Sequence, residues 1–322
     1  MRIAILDAIH HVVGLKLLFP EADYYRWDTR NEWIHTQEEC RSLYNFEYKE
    51  DISQINSDNY DIFIVVFSIF DRFKINTVPN DKHIYDTIMN IINNNNFKKI
   101  LFFDNYDYDY DPNDYIQTDK QITFFKRCYV RNKQYKSNVF SFPFIIFGRP
   151  KDVLWKILED HDKYKTTISR KPHIHWSGGL YVHNNDLGYP IIRNRFESYQ
   201  KIHKHIINYH IPKEHYIQEL ATFQCGADIL GCGEPNIRTL ELLIARTLII
   251  QEKNNLQWPF EKGYLVPPEL MFDSEHAFVD IKTMLQDPIK YTYYIDEQNR
   301  LFDTYFTKEW LRTYIEQSAN IV

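Results

Sequence analysis

The stretch "GCGEPNIRTLELL", Gly231 to Leu243, sets an arginine and a glutamate three residues apart at the start of an otherwise apolar run. Gly231 and Gly233 precede it, and Pro235 suits the first turn of a helix. Arg238 and Glu241 then share one helical face. A helix N-terminus carries unpaired N–H groups and a partial positive charge, which favour a bound phosphate. Arg238 adds a fork of donors that suits a diphosphate. Glu241 suits the hydroxyls of an adjoining ribose. The same spacing also fits an i,i+3 ion pair on a solvated helix.

These residues need a scaffold, and the chain alternates strand-like and helix-like runs. "RIAIL" reads as a buried parallel strand, "DAIHH" as the loop after it and "VVGLKLLF" as a helix. "DYYRW" is a second strand. "YDIFIVVFSIF" and "KKILFFD" are continuous apolar runs, as strands buried on both faces require, with the helical "HIYDTIMNIINN" between them. "NYDYDYDPND" is acidic, aromatic and turn-like, and "ITFFKRCYV" and "VFSFPFIIFG" close the first half. A polar helix and linker from Arg149 onward put a domain boundary near residue 160. The pattern then repeats. "HIHWSGGLYV", "CGADILGCG" and "TLIIQ" read as strands. "IRNRFESYQKIHKHIINYH", "EHYIQELATFQ", "EPNIRTLELLIAR", "HAFVDIKTMLQDP" and "TKEWLRTYIEQSA" read as helices. Two α/β halves with a cleft between them are the expected organisation.

Composition bounds the partners. The 322 residues carry a net charge of -6, with 44% hydrophobic and 25% charged residues, so the chain is globular. No basic face is advertised, which argues against a nucleic-acid polymer as partner. Cys40, Cys128, Cys225 and Cys232 lack metal-like spacing and read as reduced thiols of a cytoplasmic protein. "MRIAIL" starts directly with a strand-like run, with no signal peptide visible, and no apolar run reaches the length of a membrane span. Thirteen histidines include His173 and His175 on one strand face, but none has zinc-motif spacing.

"HYIQELATFQCGADILGCGEPNIRTLELLIARTLII" resembles the donor-binding half of exostosin-type glycosyltransferases. It is closer still to short virus-encoded glycosyltransferases related to them. The family pattern is a tyrosine opening a helix, a strand, a glycine-containing loop, then Arg, a two-residue gap and Glu on a helix. Here these are Tyr216, Gly231 and Gly233, Arg238 and Glu241. The glycine turn that ends the family's preceding strand is matched by "HWSGG". The clear match covers about residues 172 to 260. Two features depart from the family: "ARTLII" follows the helix in place of a small-Gly-Cys-Ile-Pro-Val run, and "GCGEPN" replaces a serine-containing approach to the arginine.

The resemblance implies a GT-B fold, two Rossmann-like domains facing a central cleft. Residues 1–160 would bind the acceptor and residues 161–300 the nucleotide sugar, with 301–322 a helix returning to the first domain. Arg238 would contact the diphosphate and Glu241 the ribose. Ser177, Gly178 and Gly179 would approach the phosphates, and Tyr216 or Trp176 would line the base. Gly233, Asn236 and Thr239 complete the donor set, with Lys126 reaching the phosphates from the first domain. The acceptor's proton would pass to a group on a loop of that domain: Asp104 or Asp107 after the "ILFF" strand, with His10 behind them. "DYDYD" contains the Asp-x-Asp pattern by which the other glycosyltransferase fold holds Mg or Mn. No metal or other cofactor is expected, because the helix end and arginine already serve the diphosphate. The expected activity is sugar transfer from a nucleotide diphosphate sugar, UDP favoured over GDP, to a glycan or other hydroxyl acceptor. The expected site of action is the cytoplasm, the host's if the chain is virus-encoded. Two alternatives stand beside it: a non-catalytic glycan-binding protein derived from a transferase, and a nucleotide-sugar-modifying enzyme such as an epimerase. The second would want a GxGxxG turn after the first strand, which "DAIHHVVG" lacks.

Overall fold

In the computed structural model the described residues are 1–7, 13–26, 38, 41, 46–67, 79–104, 110–143, 170–176, 191–209, 211–212, 215–229 and 237–321. The chain divides into two units: Met1–Trp155 together with Lys308–Val322, and Lys156–Thr307.

Unit 1 is built on seven strands: β1 (Ile3–Asp7), β2 (Asp23–Arg26), β3 (Tyr48–Lys49), β4 (Ile62–Phe67), β5 (Lys99–Asp104), β6 (Ile122–Lys126) and β7 (Val139–Ser141). Their order is β3-β2-β1-β4-β5-β6-β7, and every pairing is parallel. The order reverses between β1 and β4, as in Rossmann-like sheets. All residues of β1 and β4 are buried, which explains their unbroken apolar sequences. Helix α1 (Val13–Leu18) follows β1, and α2 (Pro79–Asn94) connects β4 to β5. Ile84, Ile88, Met89, Ile91 and Ile92 of α2 join the core that holds Phe63, Phe102 and Phe124. The C-terminal helix α8 (Lys308–Ser318) packs on α1. Arg312 of α8 binds Glu21 at 2.7 Å, and the Tyr314 hydroxyl donates to the Ser141 carbonyl at 2.8 Å.

Unit 2 has four parallel strands, β8 (Lys171–His175), β9 (Phe223–Asp228), β10 (Leu248–Glu252) and β11 (Met271–Phe272), in the order β11-β10-β9-β8. Its helices are α3 (Ile191–Ile202), α4 (Tyr216–Leu220), α5 (Ile237–Ile244), α6 (Glu275–Met284) and α7 (Pro288–Tyr305). The register of β8 on β9 shifts between Lys171 and Ile174, a bulge that falls where Pro172 supplies no N–H. His173 lies exposed in this irregular segment and His175 is fully buried, so the two do not act as a pair on one face.

The patterning leaves α7 unassigned, although it is the longest helix among the described residues. Its start is conventional, with Asp287 capping the Ile289 N–H at 2.9 Å and Pro288 in the first turn. Its buried face is what hides it: Ile295, Gln298, Leu301 and Phe302 set a glutamine in the middle of the apolar stripe. Gln298 spans the start of β10. Its Oε1 accepts from the Ile249 N–H at 2.9 Å, and its Nε2 donates to the Thr247 carbonyl at 3.0 Å. All three residues are buried, so water cannot replace either bond. Gln298→Leu should therefore cost roughly 2–4 kcal/mol. Urea unfolding would show this as a lower midpoint at unchanged slope, and an unchanged midpoint would deny the two bonds any net weight.

Candidate active site at the carboxyl edge of unit 2

Helix α5 lies tight against β9. A methyl group added at Gly226 would meet Leu242 Cδ2 at 2.2 Å, so strand and helix approach more closely than a side chain allows. The far end of α5 is closed by Arg246 in a left-handed conformation (φ 53), with the Thr247 N–H bonded to the Leu242 carbonyl at 3.0 Å. The Arg246 guanidinium is tied to Asp303 of α7 at 2.5 Å and lies over the Phe302 ring. At the near end, Thr239 is fully buried and donates to Asp228 Oδ2 at 2.6 Å. Gln251 donates to the same oxygen at 2.8 Å. Asp228 ends β9, so one buried carboxylate joins α5 to the carboxyl ends of β9 and β10.

This anchoring presents Arg238, the second residue of α5. Its half-buried guanidinium lies over the ring of Tyr216, which opens α4, at 5.5 Å from the centroid. A cation held on an aromatic face in this way is oriented and partly desolvated before any anion arrives. Glu241 is half-buried one turn further along α5. Tyr216, Arg238 and Glu241 thus belong to one pair of contacting helices at the carboxyl edge of the sheet. Thr239 engages Asp228 internally. Trp176 is buried at 2% exposure, with its ring 4.8 Å from Tyr199, and so packs in the unit's interior. Ser177, Gly178, Gly179, Gly233 and Asn236 lie outside the described residues.

His175, the last residue of β8, adds a group whose spacing in the sequence suggests no ligand role. Its imidazole is fully buried, stacked on Phe223 at 4.6 Å, with the Tyr209 ring edge-on at 5.3 Å. Neither ring nitrogen makes a hydrogen bond of good geometry, although the Tyr209 backbone lies close enough to oppose the downward pKa shift a little. Burial above all, and then the Arg238 charge, push its pKa down to about 4. Glu219 opposes this shift and Lys171 adds to it. Glu219 accepts from the Tyr209 hydroxyl and binds Lys171 at 3.1 Å, and both bonds lower its own pKa.

The carboxyl edge of unit 1 holds the other candidates. Asp104 ends β5 and Lys126 ends β6, directly opposite in register. Both are fully buried, with Lys126 Nζ 3.0 Å from Asp104 Oδ2 and 3.9 Å from the centroid of the Tyr110 ring. They form one internal ion pair, so neither the base role expected of Asp104 nor the phosphate contact expected of Lys126 describes what the side chains do here. Asp107 and His10 lie outside the described residues. Within "DYDYD", Asp111 is described. It accepts from the backbone N–H groups of Asn113 and Lys136, at 2.9 Å each, and from Asn113 Nδ2 at 2.8 Å. Those bonds make it a turn cap. Among the described residues no three His, Cys, Asp or Glu side chains gather as a metal site would require, and no helix is long and apolar enough to cross a membrane.

No protein-family model matches the chain, and no curated protein matches it.

The buried imidazole makes a pH prediction. The unfolded chain protonates His175 near its ordinary 6.5, and the folded one near 4. The unfolded state therefore binds more protons between those values, and stability falls as pH drops through that window, by roughly 3 kcal/mol. Below about 4 this contribution stops changing. His175→Phe should gain on the wild type in unfolding free energy between pH 7 and pH 4.5. A difference that stays constant with pH would contradict the assignment.

Proposed function

We propose that the chain is a glycosyltransferase of GT-B arrangement that takes a nucleotide diphosphate sugar, UDP-linked in preference to GDP-linked, at the carboxyl edge of unit 2. The reading is carried by one observation. Tyr216 and Arg238, the residues that match the exostosin-type pattern, come together in space with Glu241 one turn away. Open parallel sheets take their ligands outside the carboxyl ends of the strands, which is where this group lies.

In this reading Arg238 binds the diphosphate and Glu241 accepts from the ribose hydroxyls. An acceptor hydroxyl, from a glycan or another alcohol, attacks the anomeric carbon. The bond from that carbon to the diphosphate oxygen breaks, and the hydroxyl proton passes to a base on unit 1. With Asp104 engaged by Lys126, the base falls to Asp107 or His10. The diphosphate leaves with its charge met by Arg238 and the opening turn of α5, which needs no metal. The proposed place of action is the cytoplasm, where the buried Cys128 and Cys225 thiols would stay reduced.

Calorimetric titration with UDP and GDP, with and without Mn, checks the site. Micromolar binding of one nucleotide, indifferent to Mn and weakened at least tenfold by Arg238→Ala and by Glu241→Ala, is expected. Binding of neither nucleotide would remove the transferase reading and put a glycan-binding protein ahead of it.

A further inference from the structure

Buried polar atoms without partners are rare in folded proteins, because each costs roughly 1–3 kcal/mol. His175 carries two such atoms on one side chain that is 0% exposed. An aromatic residue of the same shape would fill the space between Phe223 and Tyr209 without that cost. A histidine there is stabilising only if something meets its nitrogens in another state of the protein.

Two neighbours indicate what that is. Helix α4 links His175 to the group proposed above to hold a diphosphate: Tyr216 at its start lies under the Arg238 guanidinium, and Glu219, three residues on, holds the hydroxyl of the Tyr209 ring that lies edge-on to His175. Tyr209, edge-on to His175, is itself 39% exposed, and its hydroxyl is tethered to the partly exposed Glu219. A ligand would reach the imidazole by displacing this surface tyrosine, a movement of the kind that exposed side chains make readily.

We propose that His175 is a ligand-contacting residue of the Arg238 site, lying under Tyr209, and that it hydrogen-bonds an uncharged polar group of the bound nucleotide, a hydroxyl or an amide edge. This rests on the nucleotide reading of the site. A neutral imidazole offers one donor and one acceptor, which matches a group of that class and not the anionic diphosphate. Arg238 and Lys171 already bring positive charge to the neighbourhood, and Glu219 the opposing carboxylate. His175 therefore works in its uncharged form and selects for the nucleoside portion of the ligand.

The test is titration of the nucleotide that binds wild type, UDP or GDP, into wild type, Arg238→Ala, His175→Phe and His175→Gln, with thermal midpoints measured for each. His175→Phe should keep or raise the midpoint and weaken binding at least tenfold, and His175→Gln, which restores a donor and an acceptor, should recover part of the loss. In wild-type protein the same nucleotide should shift the His175 ring-nitrogen resonances at pH 7 without proton uptake. Normal binding by His175→Phe, or resonances that do not move, with Arg238→Ala still impaired, would overturn the role of His175 and leave the nucleotide site standing. Loss of nucleotide binding from wild type itself would overturn both.

Discussion

Strands buried on both faces have no place for a charge except at their ends. β1 and β4 are buried throughout, and the last residues of β1, β5 and β6 are Asp7, Asp104 and Lys126, each fully buried. In unit 2 the same edge collects His175, Asp228, Gln251 and Glu252. A parallel arrangement brings these ends to one side, so each sheet gathers its polar chemistry along a single edge. Much of that chemistry is internal. Asp104 and Lys126 answer each other, and removing one partner would leave an uncompensated buried charge, which costs far more than removing both.

At the edge of unit 2 the internal bonds hold the candidate site in place. Helix α5 is fixed at its near end by Thr239 on Asp228, in the middle by the close approach at Gly226, and at its far end by Arg246 on Asp303. Arg238 and Glu241, both half-buried, are positioned by this frame. Tyr216 comes from α4 to lie beneath the guanidinium. His175 keeps both ring nitrogens buried without a hydrogen bond of good geometry. A protein can keep such a group only by setting its cost against a gain elsewhere, and that exchange is expected at sites of function.

The long strands are legible in the sequence because burial on both faces leaves continuous apolar runs, as in "YDIFIVVFSIF" and "KKILFFD". The two-residue β3 and β11 carry no pattern to read. Helix α7 escapes because Gln298 interrupts its apolar face to serve β10. Residue type alone also fails to say whether a polar side chain faces inward. Thr239, Lys126 and Asp104 have the chemistry of a site, and their engagement with Asp228 and with each other appears only when the strands are set side by side. Arg238 and Tyr216 are 22 residues apart in the chain, and what linked them in sequence was a family resemblance rather than any spacing rule. Counting alternate residues puts His173 and His175 together, and the irregularity in β8 is invisible to that count.

The most direct measurement is a crystal structure of the protein with bound UDP. The account predicts the diphosphate within hydrogen-bonding distance of Arg238, with the ribose hydroxyls on Glu241. A nucleotide bound elsewhere, with Arg238 still resting on Tyr216 and out of its reach, would contradict it.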